Sequence, residues 1–186
     1  MNLPNKLTML RVLLVPVFCI FLCMEDWAGQ LIATLVFIIA SLTDLLDGYI
    51  ARRDHLITDF GKLVDPIADK LLITSAMIFM VAQNRMNAAV VLLFVAREFV
   101  VSGFRMLAAS RGTVIAADKL GKYKTATQTA AIIMLILFKP VGESWALLGN
   151  AGMIAADIIT YVALALSVVS CADYIYKNRS IIDRQL

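Results

Sequence analysis

Four aspartates are the residues of this chain best placed to do chemistry. Asp44 and Asp47 are three apart and Asp65 and Asp69 four apart, so on helices each pair projects from one face. A short polar segment separates the pairs, which lets the two helices be neighbours and the four carboxylates converge. Left unpaired in a medium of reduced dielectric, they would repel and some would protonate. Hard divalent cations remove that conflict. No His or Cys lies in the cluster, and all-oxygen ligation suits Mg²⁺, Mn²⁺ or Ca²⁺ rather than zinc. Two such ions about 4 Å apart form a clamp for phosphoryl chemistry.

Small residues accompany the acids. Gly48 lies four after Asp44, Ala51 four after Asp47 and Gly61 four before Asp65, leaving a groove for a flat or phosphate-bearing ligand. The same residues equally serve close helix packing in a membrane. A basic set follows: Arg97 inside an apolar run, Arg105 eight residues later, then Lys119, Lys122 and Lys124. Arg is suited to bidentate phosphate recognition and Lys adds point charge; for Arg97 the other use is pairing with Glu98. Arg111, Lys119, Lys177, Arg179 and Arg184 read as anchors to anionic lipid. Asn5, Thr8 and Arg11 recur every three residues on an amphipathic approach to the first span, a face that lines the head-group site or only caps and anchors the helix. His55, the only histidine, reads as a surface residue. Asp157 reads as structural, through a hydrogen bond or an interface, and Cys19, Cys23 and Cys171 as packing residues.

The elements that must position these groups are membrane helices. The 186 residues are 61% hydrophobic with a mean hydropathy of +0.83, more apolar surface than a soluble fold hides. Apolar runs at about 12–24, 31–49, 63–82, 88–109, 126–138 and 153–172 predict six transmembrane helices, preceded by a short N-terminal amphipathic helix, in an all-α polytopic protein. No linker, repeat or low-complexity tract divides it, so residues 1–186 read as one membrane domain. No small-residue cleavage site follows the first run, so the polar N-terminus is expected to be retained. Of the 17 Lys and Arg, only Arg85 and Lys139 fall on one side; Arg97 lies mid-span and the rest fall on the other. The positive-inside rule makes that basic side cytoplasmic, together with both termini and the acidic cluster, in a cell membrane whose anionic head groups it suits.

Residues 44–69 read D-x(2)-D-G-x(2)-A-R-x(8)-G-x(3)-D-x(3)-D, which resembles the signature of the CDP-alcohol phosphotransferases without a departure. The opening NLPNKLTMLR and the stretch AREFVVSGFRMLAASRGTVIAADKLGKYKTATQ look like the phosphatidylglycerophosphate synthase branch of that family. The resemblance implies CDP-diacylglycerol as donor and glycerol 3-phosphate as acceptor. It implies two divalent metal ions (Mg²⁺ or Mn²⁺), Asp44, Asp47 and Asp65 holding the first and Asp44, Asp65 and Asp69 sharing a second. Asp69 is then the base that takes the acceptor's hydroxyl proton. The CDP site takes Gly48, Ala51, Arg52, Gly61, Asn5 and Thr8; the acceptor phosphate takes Arg97, Arg105, Lys122 and Lys124. It further implies a homodimer, and no nucleic acid among the partners.

Three rivals share parts of this pattern. An ion-coupled transporter also carries membrane carboxylates, but near the midplane on broken helices. A non-catalytic scaffold needs no carboxylates at fixed spacing. A cardiolipin synthase, or an enzyme using another alcohol, shares the donor chemistry and differs in the acceptor. Replacing Asp44, Asp47 or Asp65 by Asn is expected to abolish catalysis and leave the fold intact.

Overall fold

The described residues form six helices: α1 (Leu3–Leu22), α2 (Trp27–Arg53), α3 (Asp59–Ala82), α4 (Ala88–Ser110), α5 (Lys119–Phe138) and α6 (Gly149–Lys177). This computed structural model describes residues 2–53, 59–110, 119–139 and 148–179, without the side chains of 45, 47–49, 51–52, 59–60, 62–63, 110 and 119. His55, Arg111 and Arg184 therefore lie outside the described residues, as do the side chains of Asp47, Gly48, Ala51, Arg52 and Lys119. No strand occurs among the described residues, and the chain is all-α.

Each helix takes up one predicted apolar run, α1 ending two residues short of its run at Leu22, and most extend past it, because helical hydrogen bonding continues through charged turns that hydropathy marks as ends. The amphipathic approach is corrected in one respect: it is not a separate helix. Residues 3–22 form one continuous α1, with proline in its first turn, where its missing N–H costs nothing. Nothing in residues 6–12 breaks the backbone ladder, so the polar face of Asn5, Thr8 and Arg11 runs directly into the apolar span. Pro16 and Pro66 sit inside α1 and α3, as membrane helices tolerate.

Among the described residues, three helices are long and apolar enough to cross a membrane: α1, the Trp27–Asp44 part of α2, and α6. The other three fall short for an informative reason. Their apolar stretches are interrupted by Asp65, Asp69 and Lys70 on α3, Arg97, Glu98 and Arg105 on α4, and Lys122 and Lys124 on α5, the charged residues singled out above or their immediate neighbours.

The bundle is apolar outside and partly polar inside. Large apolar side chains point outward, among them Leu13, Ile20, Leu92, Phe99 and Met106, while Arg11, Thr34, Gln128, Thr160 and Ser167 are buried. Thr34 and Thr160 return their hydroxyls to the carbonyls of Gln30 and Ala156, one turn back. The amides of Gln30 and Gln83 both donate to the carbonyl of Leu22 at the end of α1, satisfying an acceptor the helix itself leaves open. α1 packs on α2 and α3, and α6 packs on α5 and α4, with α2 and α3 also meeting α5. Phe18, Phe37, Leu72, Met77, Phe94, Ile132 and Leu135 fill the interior; the Phe18 and Phe37 rings are 5.4 Å apart and tilted by 44°.

Glycine positions give a paired test of this packing. A Cβ on Gly29 would lie 2.4 Å from Met24 Cβ and 2.9 Å from Asp26 Oδ1, whereas one on Gly103 would meet nothing within 4 Å. Gly29→Ala is expected to destabilise by about 1–3 kcal/mol. Gly103→Ala, within α4, is expected to stabilise by about 0.5–1 kcal/mol. Thermal unfolding of both variants in one detergent checks the opposite signs.

Candidate active site

The site assembles at the end of the bundle where α2 finishes and α3 begins, with the first half of α1 laid against it. Asn5, Thr8 and Arg11 are all buried, so the three-residue repeat is the inward face of α1. That face meets the carboxylates. The Thr8 hydroxyl donates to Asp65 Oδ1 at 2.5 Å. Arg11, with no exposed side-chain surface, places Nη1 2.9 Å from Asp44 Oδ1, and its Nε donates to the carbonyl of Ala40 at 3.2 Å. Thr43 turns its hydroxyl to the same carbonyl at 2.7 Å. Gly61 is buried on α3, one turn before Asp65.

Asp44 keeps 38% of its side-chain surface exposed despite the Arg11 contact, so it remains reachable from outside the bundle. Asp69, half-buried one turn beyond Asp65, feels the charges of Asp44, Arg11, Glu98 and Lys124. Asp44, Asp65 and Asp69 offer only oxygen donors, and the charge of Asp44 is felt at Asp69, an arrangement that a hard cation relieves. Their chemistry fits a divalent metal ion. No group of three or more Asp, Glu, His or Cys side chains stands ready-made as a metal cage among the described residues, and Asp47 falls outside that set.

The basic residues meet two surroundings, α6 and Glu98, and Arg97 meets both. Arg97 and Arg105 both face α6: Arg97 Nη2 donates to Ser170 Oγ at 3.3 Å, and the Arg105 guanidinium lies 5.8 Å from the centre of the Tyr174 ring. The expectation of a shared face for these two arginines is met. Lys124 is buried and pairs with Glu98, which also receives Arg97 Nη1 at 3.1 Å. Lys122 is exposed and is not drawn into that group. Lys70, beside Asp69, donates to Ser102 Oγ on α4 at 2.5 Å.

Glu98 is the residue whose part sequence reasoning underrated. It had entered only as a partner for Arg97, yet it holds Arg97 and Lys124 together and acts on Asp69. A half-buried acid between a half-buried Arg97 and a buried Lys124 had one available signal, its position inside an otherwise apolar run next to Arg97. Lys124, 14 residues after the end of α4, carried no such mark. Elsewhere, Asp157 is held by Lys139 at 2.9 Å, in keeping with its structural reading, and the three cysteines are free.

Comparison with known proteins gives consistent findings. Residues 1–169 match the family described as CDP-alcohol phosphatidyltransferase. A Bacillus subtilis (strain 168) CDP-diacylglycerol–glycerol-3-phosphate 3-phosphatidyltransferase is 39% identical, over 95% of each chain. A Rickettsia felis protein of the same name is 37% identical over 93% of each. A chloroplastic/mitochondrial form from Arabidopsis thaliana is 33% identical, over 95% of this chain and 62% of its own.

The Arg11 contact revises one expectation. Removing the charge of Asp44 takes a carboxylate 2.9 Å away from a fully buried guanidinium, so Asp44→Asn is expected to cost about 1–3 kcal/mol of stability as well as activity. Asp65→Asn keeps an acceptor for the Thr8 hydroxyl and is expected to lose activity at nearly unchanged stability. Unfolding midpoints measured beside CMP release separate the two; equal midpoints would remove the structural role assigned to Asp44.

Proposed function

The chain belongs to the CDP-alcohol phosphatidyltransferase family, and we infer that it transfers the phosphatidyl group of CDP-diacylglycerol to glycerol 3-phosphate, releasing CMP. This is a transferase reaction of phospholipid biosynthesis carried out by a membrane protein. Relatives of that single printed activity, spanning nearly the whole chain, carry the assignment, and the juxtaposition of carboxylates and buried cations supports it.

The finer reading places six spans in one membrane domain within the cell membrane, with the acidic cluster facing the cytoplasm and the protein working as a homodimer. Two divalent ions, Mg²⁺ or Mn²⁺, are held by Asp44, Asp47, Asp65 and Asp69. When bound, they supply positive charge against the donor diphosphate and the departing CMP. Thr8 orients Asp65 through its hydroxyl, and Arg11 holds Asp44 against α1, so both carboxylates are fixed before substrate arrives. Gly48, Ala51, Arg52, Gly61 and Asn5 line the cytidine and diphosphate groove. Asp69 takes the hydroxyl proton of glycerol 3-phosphate, whose oxygen attacks the phosphorus bonded to diacylglycerol; the phosphoanhydride bond to CMP breaks. Asp69 suits that task because it is half-buried and lies between the acid cluster and the cations on α4 and α5.

The acceptor phosphate is taken by Arg97, Arg105, Lys122 and Lys124. Glu98 already engages Arg97 and Lys124, so the phosphate exchanges one anionic partner for another rather than filling an unmet charge. Arg105 and Lys122, both exposed, are then the residues whose contribution is added on binding.

Two measurements test this. Asp69→Asn is expected to lower kcat by about 10²–10⁴-fold with donor affinity nearly unchanged; weakened donor binding at an unchanged kcat would make Asp69 a ligand alone. Replacing Arg105 or Lys122 by Ala is expected to raise KM for glycerol 3-phosphate roughly tenfold, the value of one charge-assisted hydrogen bond, and to narrow its advantage over glycerol. Steady-state kinetics with both acceptors reads the result. A wild-type enzyme preferring phosphatidylglycerol or an unphosphorylated alcohol would remove the acceptor assignment and leave the donor chemistry standing.

A further inference from the structure

At the opposite end of the bundle, Arg85 occupies the turn between α3 and α4. Its position is fixed by a helix-terminating motif: Asn84 takes the left-handed conformation (φ 56°), its N–H donates to the carbonyl of Val81, and the N–H of Arg85 donates to that of Met80. Asn84 is one of the few residues that adopt such a backbone readily. The Arg85 side chain that follows is only 1% exposed. None of its three guanidinium nitrogens has a hydrogen-bond partner among the described residues. Burial pushes its pKa down only to about 10, so it is cationic at neutral pH. A buried cation of this kind is expensive unless something meets it.

Arg85 lines a cleft of about 350 Å³ together with Asn87, Lys139, Asp157, Thr160 and Tyr161. The two cations that charge counting puts on the side away from the basic face are Arg85 and Lys139, and the fold brings both here. Lys139 is matched by Asp157 at 2.9 Å; Arg85 is left over. α4 also opens here, its first turn capped by Asn87, whose Oδ1 accepts the Ala89 N–H at 2.8 Å, and a helix N-terminus adds partial positive charge. The cleft shares Asp157 and Tyr161 with a second hollow of about 480 Å³ that runs along α6 over Ile154, Ile158, Val162 and Ala165. A cationic pocket thus opens onto an apolar groove.

We propose that this cleft binds the phosphate of an anionic phospholipid, bidentate on the Arg85 guanidinium, with an acyl chain along the α6 groove. The planar fork of arginine matches a phosphodiester, Tyr161 brings a hydroxyl group to the cleft, and the adjoining apolar groove selects a lipid over a free anion. Asp69 and the end of α3 at Ala82 are 13 residues apart, about 20 Å of helix, so the lipid sits in the other leaflet and is distinct from donor and product.

The test uses the purified full chain, delipidated in a nonionic detergent and titrated with phosphatidylglycerol, phosphatidylcholine of the same acyl chains, or inorganic phosphate. Bound lipid is counted by native mass spectrometry and the unfolding midpoint is followed. Wild type is expected to retain phosphatidylglycerol over phosphatidylcholine by roughly tenfold or more and to be stabilised by it. Arg85→Met should lose that preference while standing at least as stable as wild type without lipid, because the unmatched charge is gone. Asp157→Asn frees Lys139 and should strengthen retention, and Lys139→Met should weaken it, a pair of opposite signs that a folding defect does not mimic. Lys122→Ala, at the other end of the bundle, should retain the lipid as wild type does, which separates this site from the proposed acceptor site. An undiminished preference in Arg85→Met, or inorganic phosphate displacing the lipid from wild type at equal concentration, overturns the proposal.

Discussion

A bundle that faces lipid has no water with which to settle its charges, and the rest of this structure follows from how it settles one of them. Arg11 stands on α1 with no exposed surface. It is tolerable there because Asp44 and the carbonyl of Ala40, both on α2, meet its guanidinium. That contact fixes the rotation of α1 against α2, and Thr8, one turn away on the same face, then reaches Asp65 on α3. Three helices are thereby locked by the same carboxylates to which the proposed function gives the chemistry. The site is not carried by an independent scaffold; its own acids are part of what holds the helices together, since losing one partner of a buried pair strands the other.

The same economy appears around Glu98. Two cations on different helices, Arg97 and Lys124, would repel across the α4–α5 contact without it. With it they form a compact group whose charge reaches Asp69. A phosphate entering here meets cations that are already oriented, which lowers the cost of ordering them. It must also compete with a resident carboxylate, which favours ligands bearing more charge than a single carboxylate does.

Much of this was readable from residues alone, for physical reasons. Apolar runs locate helices because lipid forces every backbone group into internal hydrogen bonds, and all six helices appeared where those runs lie. Charged residues inside the runs pointed to the site because they are costly there. What the residues did not reveal is pairing between helices. The periodicity of Asn5, Thr8 and Arg11 announces a face and not its partners, so it was open whether that face lined the head-group site or only capped and anchored the helix. The join between the amphipathic approach and the first span was misread for a related reason: hydropathy registers a change of composition where the backbone has no change of direction. Arg85 carried no signal, because a lone Arg in a short turn ordinarily faces water. Only the Schellman-type end of α3 turns it inward.

The Arg11–Asp44 pair also bears on how the chain is made. α1 leaves the ribosome before α2, and until Asp44 follows, Arg11 has no counter-ion from its eventual neighbour. A lone α1 would carry that charge towards hydrocarbon at a cost of several kcal/mol. Insertion of α1 and α2 together, as a hairpin joined by the turn at Cys23–Asp26, lets the guanidinium and the carboxylate enter as a neutral pair. The pairing thus favours joint insertion of the first two helices, and a chain interrupted between them would be expected to wait at the membrane surface.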